Sequence, residues 1–278
     1  MVRILVDSSA DYTAQEVKEL NMELVSINIT LNDKNYLDGV DITKDELYQT
    51  LVETETFPMT AQPSPQEFLD IFEDAKEKGD DVICVLLSSS LSGTCQSAHL
   101  CKNMAEYDNI YIVDSLSATI GIKLIVDYAN ELRNQGMSAQ EIVEKLEDVK
   151  SRIRIFAGVD TLEFLCRGGR VSRASAAIGE LANIKPIITV TEEGKVAVAG
   201  KCLGKNKALR FLTDKLAENP VDENFPLYTI YTYGEDNTEK LEGKLEKAGI
   251  SVAGRLQVGA TIGAHVGPGA FGFIYIGK

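Results

Sequence analysis

Short apolar runs alternate along this chain with amphipathic stretches of helical spacing, and most of the runs stop at a serine, threonine or aspartate. Arg3–Asp7 is expected as a strand ending in the turn Asp7-Ser8-Ser9-Ala10-Asp11, followed by a helix from Thr13 to about Leu20. Glu23–Leu31 alternates as a second strand, and Asn32–Asp41 is a polar, hairpin-like piece. Thr43 and Glu46 form a capping box for a helix with Leu47 and Leu51 on its apolar face. Three prolines hold the loop Thr56–Pro65 extended until Ser64, Pro65 and Glu67 open the next helix as N-cap, N1 and N3 residues. Ser64 therefore has a structural task, and Thr60 has none.

The stretch Val82–Thr94, VICVLLSSSLSGT, organises the first half. An apolar strand, Val82–Leu87, stops at three serines and leads into a helix through Ser92, Gly93 and Thr94. A helix start leaves backbone N–H groups without partners, and serine hydroxyls beside them make a neutral cradle for an anion. Ser90 as an N-cap would account for one serine but not for Ser88, Ser89, Ser92 or Thr94. Strand Ile110–Asp114 ends in the similar turn Asp114-Ser115-Leu116-Ser117, ahead of helices Ala118–Gln135 and Ser138–Lys150. Strands that end this way before helices predict a parallel sheet with a hydroxyl-rich carboxyl edge, the edge where ligands bind.

From Arg154 the pattern changes, placing a domain boundary between 1–153 and 154–278. Strand Ile155–Asp160 leads into Thr161–Arg173 and a small-residue helix, Ala174–Leu181. Lys185–Thr191 and Lys195–Lys201 read as a hairpin across Glu192-Glu193-Gly194. Helix Lys205–Leu216, strand Leu227–Thr232, helix Asn237–Lys247 and strands Ser251–Val258 and Phe271–Ile276 follow. The expected fold is two-domain α/β: a parallel-sheet domain, then a domain with a mixed or antiparallel sheet.

Composition narrows the partners. With 278 residues, 44% of them hydrophobic, the chain can bury a sizeable core. A net charge of −14 disfavours nucleic acid and anionic membrane surfaces. Five cysteines without a CxxC pair read as reduced and mostly buried, and Cys95, His99 and Cys101 as positions on one helix rather than a metal site. No basic leader and no stretch of membrane-spanning length occur, so a cytoplasmic protein is expected, with no metal and no cofactor.

Gly267-Pro268-Gly269-Ala270-Phe271-Gly272 matches the dinucleotide fingerprint GxGxxG, but only six residues follow it, too few for the helix and distal acid such a site needs. The run Gly259–Gly272 instead reads as a tight backbone passage that brings His265 close to something. Arg167, Arg170 and Arg173, spaced by three, form a dense basic patch on an acidic chain, suited to an anion or a docking partner.

Taken together, Asp7–Asp11, Thr60-Ala61-Gln62-Pro63-Ser64, Ser90-Leu91-Ser92-Gly93-Thr94, Val113-Asp114-Ser115, Leu162–Arg173 and His265–Gly269 resemble the DegV family along the whole chain. Those are bacterial fatty-acid-binding proteins, including the acyl-binding subunit of fatty acid kinase. The resemblance implies a long-chain fatty acid, such as palmitate or a C18 acid, buried between the two domains. It implies that Thr60 and Ser92 bond the carboxylate, with Gly93 and Thr94 beside them and His265 in the same network. It further implies a separate fatty acid kinase catalytic subunit as partner, docking on Arg167, Arg170 and Arg173. Where many relatives carry an arginine-rich segment, this chain has Lys201-Cys202-Leu203-Gly204-Lys205. The competing reading is a Ser/His-dependent acyl hydrolase or transferase using Ser92 and His265, with Asp7 or Asp114 completing the set.

Overall fold

A computed structural model of the chain describes residues 1–173 and 183–278. The expected helix Ala174–Leu181 lies outside the described residues. Strands β1 (Val2–Asp7), β2 (Glu23–Val25), β6 (Asp81–Leu86) and β7 (Ile110–Asp114) form a parallel sheet in the order β2-β1-β6-β7. The chain leaves β1 toward β2 on one side and meets β6 on the other, so a crevice forms beyond the carboxyl ends of β1 and β6. Buried Asp7 spans it: its carboxylate accepts hydrogen bonds from Ser9 N at 3.0 Å and from Leu87 N, just past β6, at 2.7 Å.

Six strands form the second sheet, in the order β10-β9-β8-β13-β11-β12: β8 (Ile153–Gly158), β9 (Ile184–Val190), β10 (Val196–Leu203), β11 (Tyr228–Tyr231), β12 (Gly254–Gln257) and β13 (Phe271–Ile276). Only the β11–β12 pair is parallel, so this sheet is mixed. A third, antiparallel sheet of β4 (Lys34–Leu37), β3 (Asn28–Leu31) and β5 (Met59–Ala61) carries Thr60. Helix Ile120–Asn134 touches strands of both large sheets, and one core cluster joins Ile4 and Val85 of the first to Ile155 and Ile274 of the second. Among the described residues no helix is long and apolar enough to cross a membrane.

Local rules account for the helix starts. Thr13/Glu16, Thr43/Glu46 and Ser138/Glu141 are reciprocal capping boxes, and Ser64 caps the helix Pro65–Lys78 by accepting from Gln66 N. All five cysteines are free and all but Cys166 are buried.

Three expectations are corrected. Glu23–Leu31 is two strands in different sheets, broken where Ile27 N donates to Ser8 Oγ at 3.0 Å instead of continuing a ladder. Ser90 is not a cap: the helix Thr94–Ala105 begins later, behind Gly93, and Ser90 Oγ donates to Glu193 O at 2.7 Å. The run around His265 is not all loop, since Ala260–Val266 is a helix closed by Gly267 at φ +77°.

Candidate functional site

The serine turn divides its hydroxyls between two tasks. Ser88 Oγ donates to Gly194 O at 2.9 Å and Ser90 Oγ to Glu193 O, fastening the turn to the β9–β10 hairpin. Ser92 instead lines a cavity of about 390 Å³ between the two large sheets. Its Oγ lies 2.8 Å from Thr94 Oγ1 and accepts from Thr94 N at 3.3 Å. Thr94 is fully buried behind it. Gly93 also lines the cavity, and any Cβ there would collide with Gln62 Oε1, so glycine lets the Gln62 side chain lie over the helix start.

Thr60 reaches the same end of the cavity from β5, and its Oγ1 lies 2.8 Å from His265 Nε2. His265 is 8% exposed, and its Nδ1 has no hydrogen-bond partner among the described residues. Burial, reinforced by the nearby Arg170 charge, pulls the imidazole down to about 4, so the ring is neutral at physiological pH. A neutral ring carries one N–H, and a buried N–H without an acceptor is the costlier orphan. The proton therefore belongs on Nε2, which donates to Thr60 Oγ1 and leaves the Thr60 hydroxyl hydrogen free to point into the cavity. Gly168 explains the bare nitrogen: a Cβ there would strike Nδ1.

Among the described residues Arg170 is the cation at this end. Half-buried, it donates Nε to Leu91 O at 2.9 Å and Nη1 to Gly168 O, and it lines the cavity. The structure thus brings to the cavity one guanidinium of the basic patch that the sequence marks for an anion or a docking partner. Arg167 and Arg173 face outward. Arg167 pairs with Glu163 at 2.7 Å and sits 3.8 Å over the Phe57 ring, which packs on Phe164; Arg173 is exposed.

Beyond this polar end the wall is mostly hydrocarbon, with Ile27, Leu87, Ile155, Ile188, Ile230 and Ile262 prominent beside Thr119, Tyr231, Thr232 and Thr261. Two threonines in the wall have spent their donors. Thr119 Oγ1 donates to buried Asp11, and Thr261 Oγ1 donates to buried Asp38 at 2.5 Å. Burial pushes Asp11 up to about 6, against the pull of Lys44 and the Thr119 bond, and it raises Asp38 as well. Among the described residues no group of three His, Cys, Asp or Glu side chains is placed to hold a metal ion.

Sequence reasoning missed Gln62, Thr119, Thr261 and Asp38. Gln62 had a signal, lying two residues past Thr60 in an extended segment and so on the same face. Tertiary packing brings Thr119 and Thr261 to the cavity, and it sets Asp38 behind Thr261.

A DegV family model matches residues 1–278. The chain belongs to the DegV family. A DegV domain-containing protein of Caldanaerobacter subterraneus subsp. tengcongensis is 36% identical over 99% of this chain and 98% of its own. The fold matches a fatty-acid-binding DegV family protein from Thermus thermophilus with a TM-score of 0.89 at 31% identity, covering 100% of this chain and 99% of that one. It also matches a stearic acid-binding protein from Eubacterium ventriosum, again with a TM-score of 0.89, at 27% identity and the same coverage. The structural neighbours of this DegV chain are thus proteins that bind fatty acids.

Proposed function

We propose that this DegV protein binds a long-chain fatty acid in the cavity between its lobes, 1–153 and 154–278, and presents the carboxylate to a separate kinase subunit. One observation carries the reading: an apolar cavity of about 390 Å³, within the range of about 300–1,000 Å³ usual for small-molecule sites, ends in two hydroxyls and one guanidinium. Thr60 and Ser92 donate to the carboxylate. His265 and Thr94 stand behind them and free their hydrogens, Gly93 opens the helix start, and Arg170 supplies the counter-charge. The tail supplies most of the energy, roughly 0.8 kcal/mol per buried methylene, or on the order of 12 kcal/mol gross for palmitate before ordering costs.

An acyl hydrolase is less well supported by the same atoms. Ser92 bonds Thr94, and His265 gives its bonded nitrogen to Thr60 while its other nitrogen has no orienting acid among the described residues. Asp7 and Asp114 accept from backbone amides instead. A base held near 4 is also poorly matched to neutral pH. The outward-facing Arg167 and Arg173, with Arg170 at the mouth, provide the face for the kinase.

Native mass spectrometry tests the binding. The purified chain should carry about one fatty acid, lost on denaturation. A mass equal to the bare chain, with no gain on incubation with palmitate or stearate, rejects the proposal.

A further inference from the structure

The helix that carries His265 is anchored from outside itself. Ala260–Val266 spans seven residues, and its N-cap, Gly259, offers no side chain. A helix this short has little stability of its own. Asp38, 223 residues earlier in the chain and 5% exposed, supplies the missing acceptor: one carboxylate oxygen takes Thr261 N at 3.2 Å and Thr261 Oγ1 at 2.5 Å. Asp38 is fixed in turn by donating its own N–H to Ile27 O at 3.0 Å. Two residues of helix Lys44–Thr54 hold the segment leading into the His265 helix. Tyr48 OH donates to Val258 O, and Lys44 Nζ donates to Gln257 O, both at 2.8 Å.

Thr261 and His265 are four residues apart, so they lie one turn apart on the same helix face. A displacement of Thr261 is therefore transmitted along a rigid turn to the imidazole, and from Nε2 to the Thr60 hydroxyl. We propose that Asp38 is a positioning residue for the fatty-acid head-group site, holding His265 against Thr60 through Thr261. This inference rests on the head-group assignment above, and it adds a residue in the N-terminal lobe that touches no part of the ligand. It also gives a reason for burying a carboxylate beside Asp11. The two donors of Thr261 share one carboxylate oxygen, so a single side chain meets both.

A double-mutant cycle on the full-length, delipidated chain separates positioning from general support of the fold. Asp38→Asn retains one oxygen acceptor and replaces the other carboxylate oxygen with an NH2 donor. Palmitate affinity should fall about 5- to 20-fold in Asp38→Asn, and by less than about twofold when the same change is made in a His265→Ala background. Nitrogen-detected NMR of the imidazole gives a second readout, with His99 as the internal reference. The His265 ring nitrogens should shift in Asp38→Asn while those of His99 stay in place. Thr261→Val, which removes the hydroxyl but keeps the N–H, should show the same changes in smaller measure, and it replaces Asp38→Asn should that variant not fold. An equal loss of affinity in both backgrounds, or unchanged affinity, overturns the proposal. If the wild-type chain binds no palmitate, the fatty-acid reading fails and the ring spectrum decides alone. A displaced His265 signal then supports the positioning role, and an unmoved one overturns it.

Discussion

Thr60 and His265 stand 205 positions apart in sequence, yet Oγ1 of the first and Nε2 of the second are 2.8 Å apart at the polar end of the inter-lobe cavity. The bond fixes the direction of the threonine hydroxyl, because a neutral, buried imidazole can donate only from the nitrogen that has an acceptor. Thr60→Val should weaken palmitate binding by about 1.5–3 kcal/mol, the worth of a hydrogen bond to a charged group. Ser92→Ala should cost the same range. Ser64→Ala, which removes only a helix cap, should instead lower stability by about 0.5–2 kcal/mol with affinity intact. Calorimetry on the three variants checks the division, and an affinity loss confined to Ser64→Ala would refute it.

Gly168 has φ −72° and ψ −7°, a conformation open to any residue, so the cost of Gly168→Ala is steric alone. The added methyl must push the His265 ring or be pushed by it. Palmitate affinity should drop by an amount close to that of His265→Ala, and the Thr60–His265 bond should be lost in a crystal structure of the variant. Wild-type affinity in Gly168→Ala would show that the ring has room to spare.

Two buried groups give opposing pH dependences. His265 titrates at about 4 in the folded chain and near its ordinary value of about 6.5 when unfolded, so the unfolded chain binds more protons between those values. Its contribution to stability is complete above about 6.5 and is lost as pH falls toward 4. Asp11 has the reverse sign. Its pKa rises to about 6 on folding, so its contribution is lost as pH climbs from about 4 to 6. In wild type the two slopes offset each other. His265→Asn should therefore expose a stability that declines from pH 4 to 6, and Asp11→Asn should steepen acid lability. Urea unfolding across that range measures both, and parallel curves for wild type and His265→Asn would dismiss the assignment.

Charge reversal should divide the arginine cluster unequally. Arg167 already shares its charge with Glu163 and rests on Phe57, whereas Arg173 is exposed. Arg173→Glu should slow acyl phosphate formation by a reconstituted kinase more than Arg167→Glu does, with fatty acid content unchanged. The wild-type rate at low carrier concentration should fall as salt rises, as it does for rim charges that steer association. Full turnover by both variants would place docking elsewhere, with Lys201–Lys207 the next segment to change.

The clasp between serine turn and hairpin should follow burial. Ser88→Ala strands the buried Gly194 carbonyl and should destabilise by about 1–3 kcal/mol, while Ser90→Ala, at an exposed hydroxyl, should cost less than about 1 kcal/mol. Equal melting temperatures for the two would argue that the lobes do not depend on this contact.

Much of this was legible because local chemistry dictates it. Thr43 with Glu46, Ser138 with Glu141 and Ser64 before Pro65 announce helix starts through backbone donors that must be met within three residues. Thr60 was conspicuous because no such donor lay near it. What the sequence could not show were pairings made by packing. Arg170 reads as a surface cation by its neighbours and becomes a cavity residue only when Leu91 O and Gly168 O take its N–H groups. Asp38 sits in a polar stretch that looks solvated, and its burial depends on a helix more than two hundred residues away. Glu23–Leu31 misled for the same reason: alternation reports a half-buried strand, not which sheet each half joins.

Four isoleucines of the cavity wall, Ile27, Ile155, Ile188 and Ile230, belong to the same core cluster that joins the two sheets. An acyl chain lying against them extends the contacts that folding makes and adds no separate set. Lipid supply and thermal resistance are then one variable: free fatty acid at a thousand times its dissociation constant raises stability by about 4 kcal/mol. Under the proposed function, trimming Ile155 or Ile188, which belong to both the core cluster and the cavity wall, should lower stability and acyl-chain retention together.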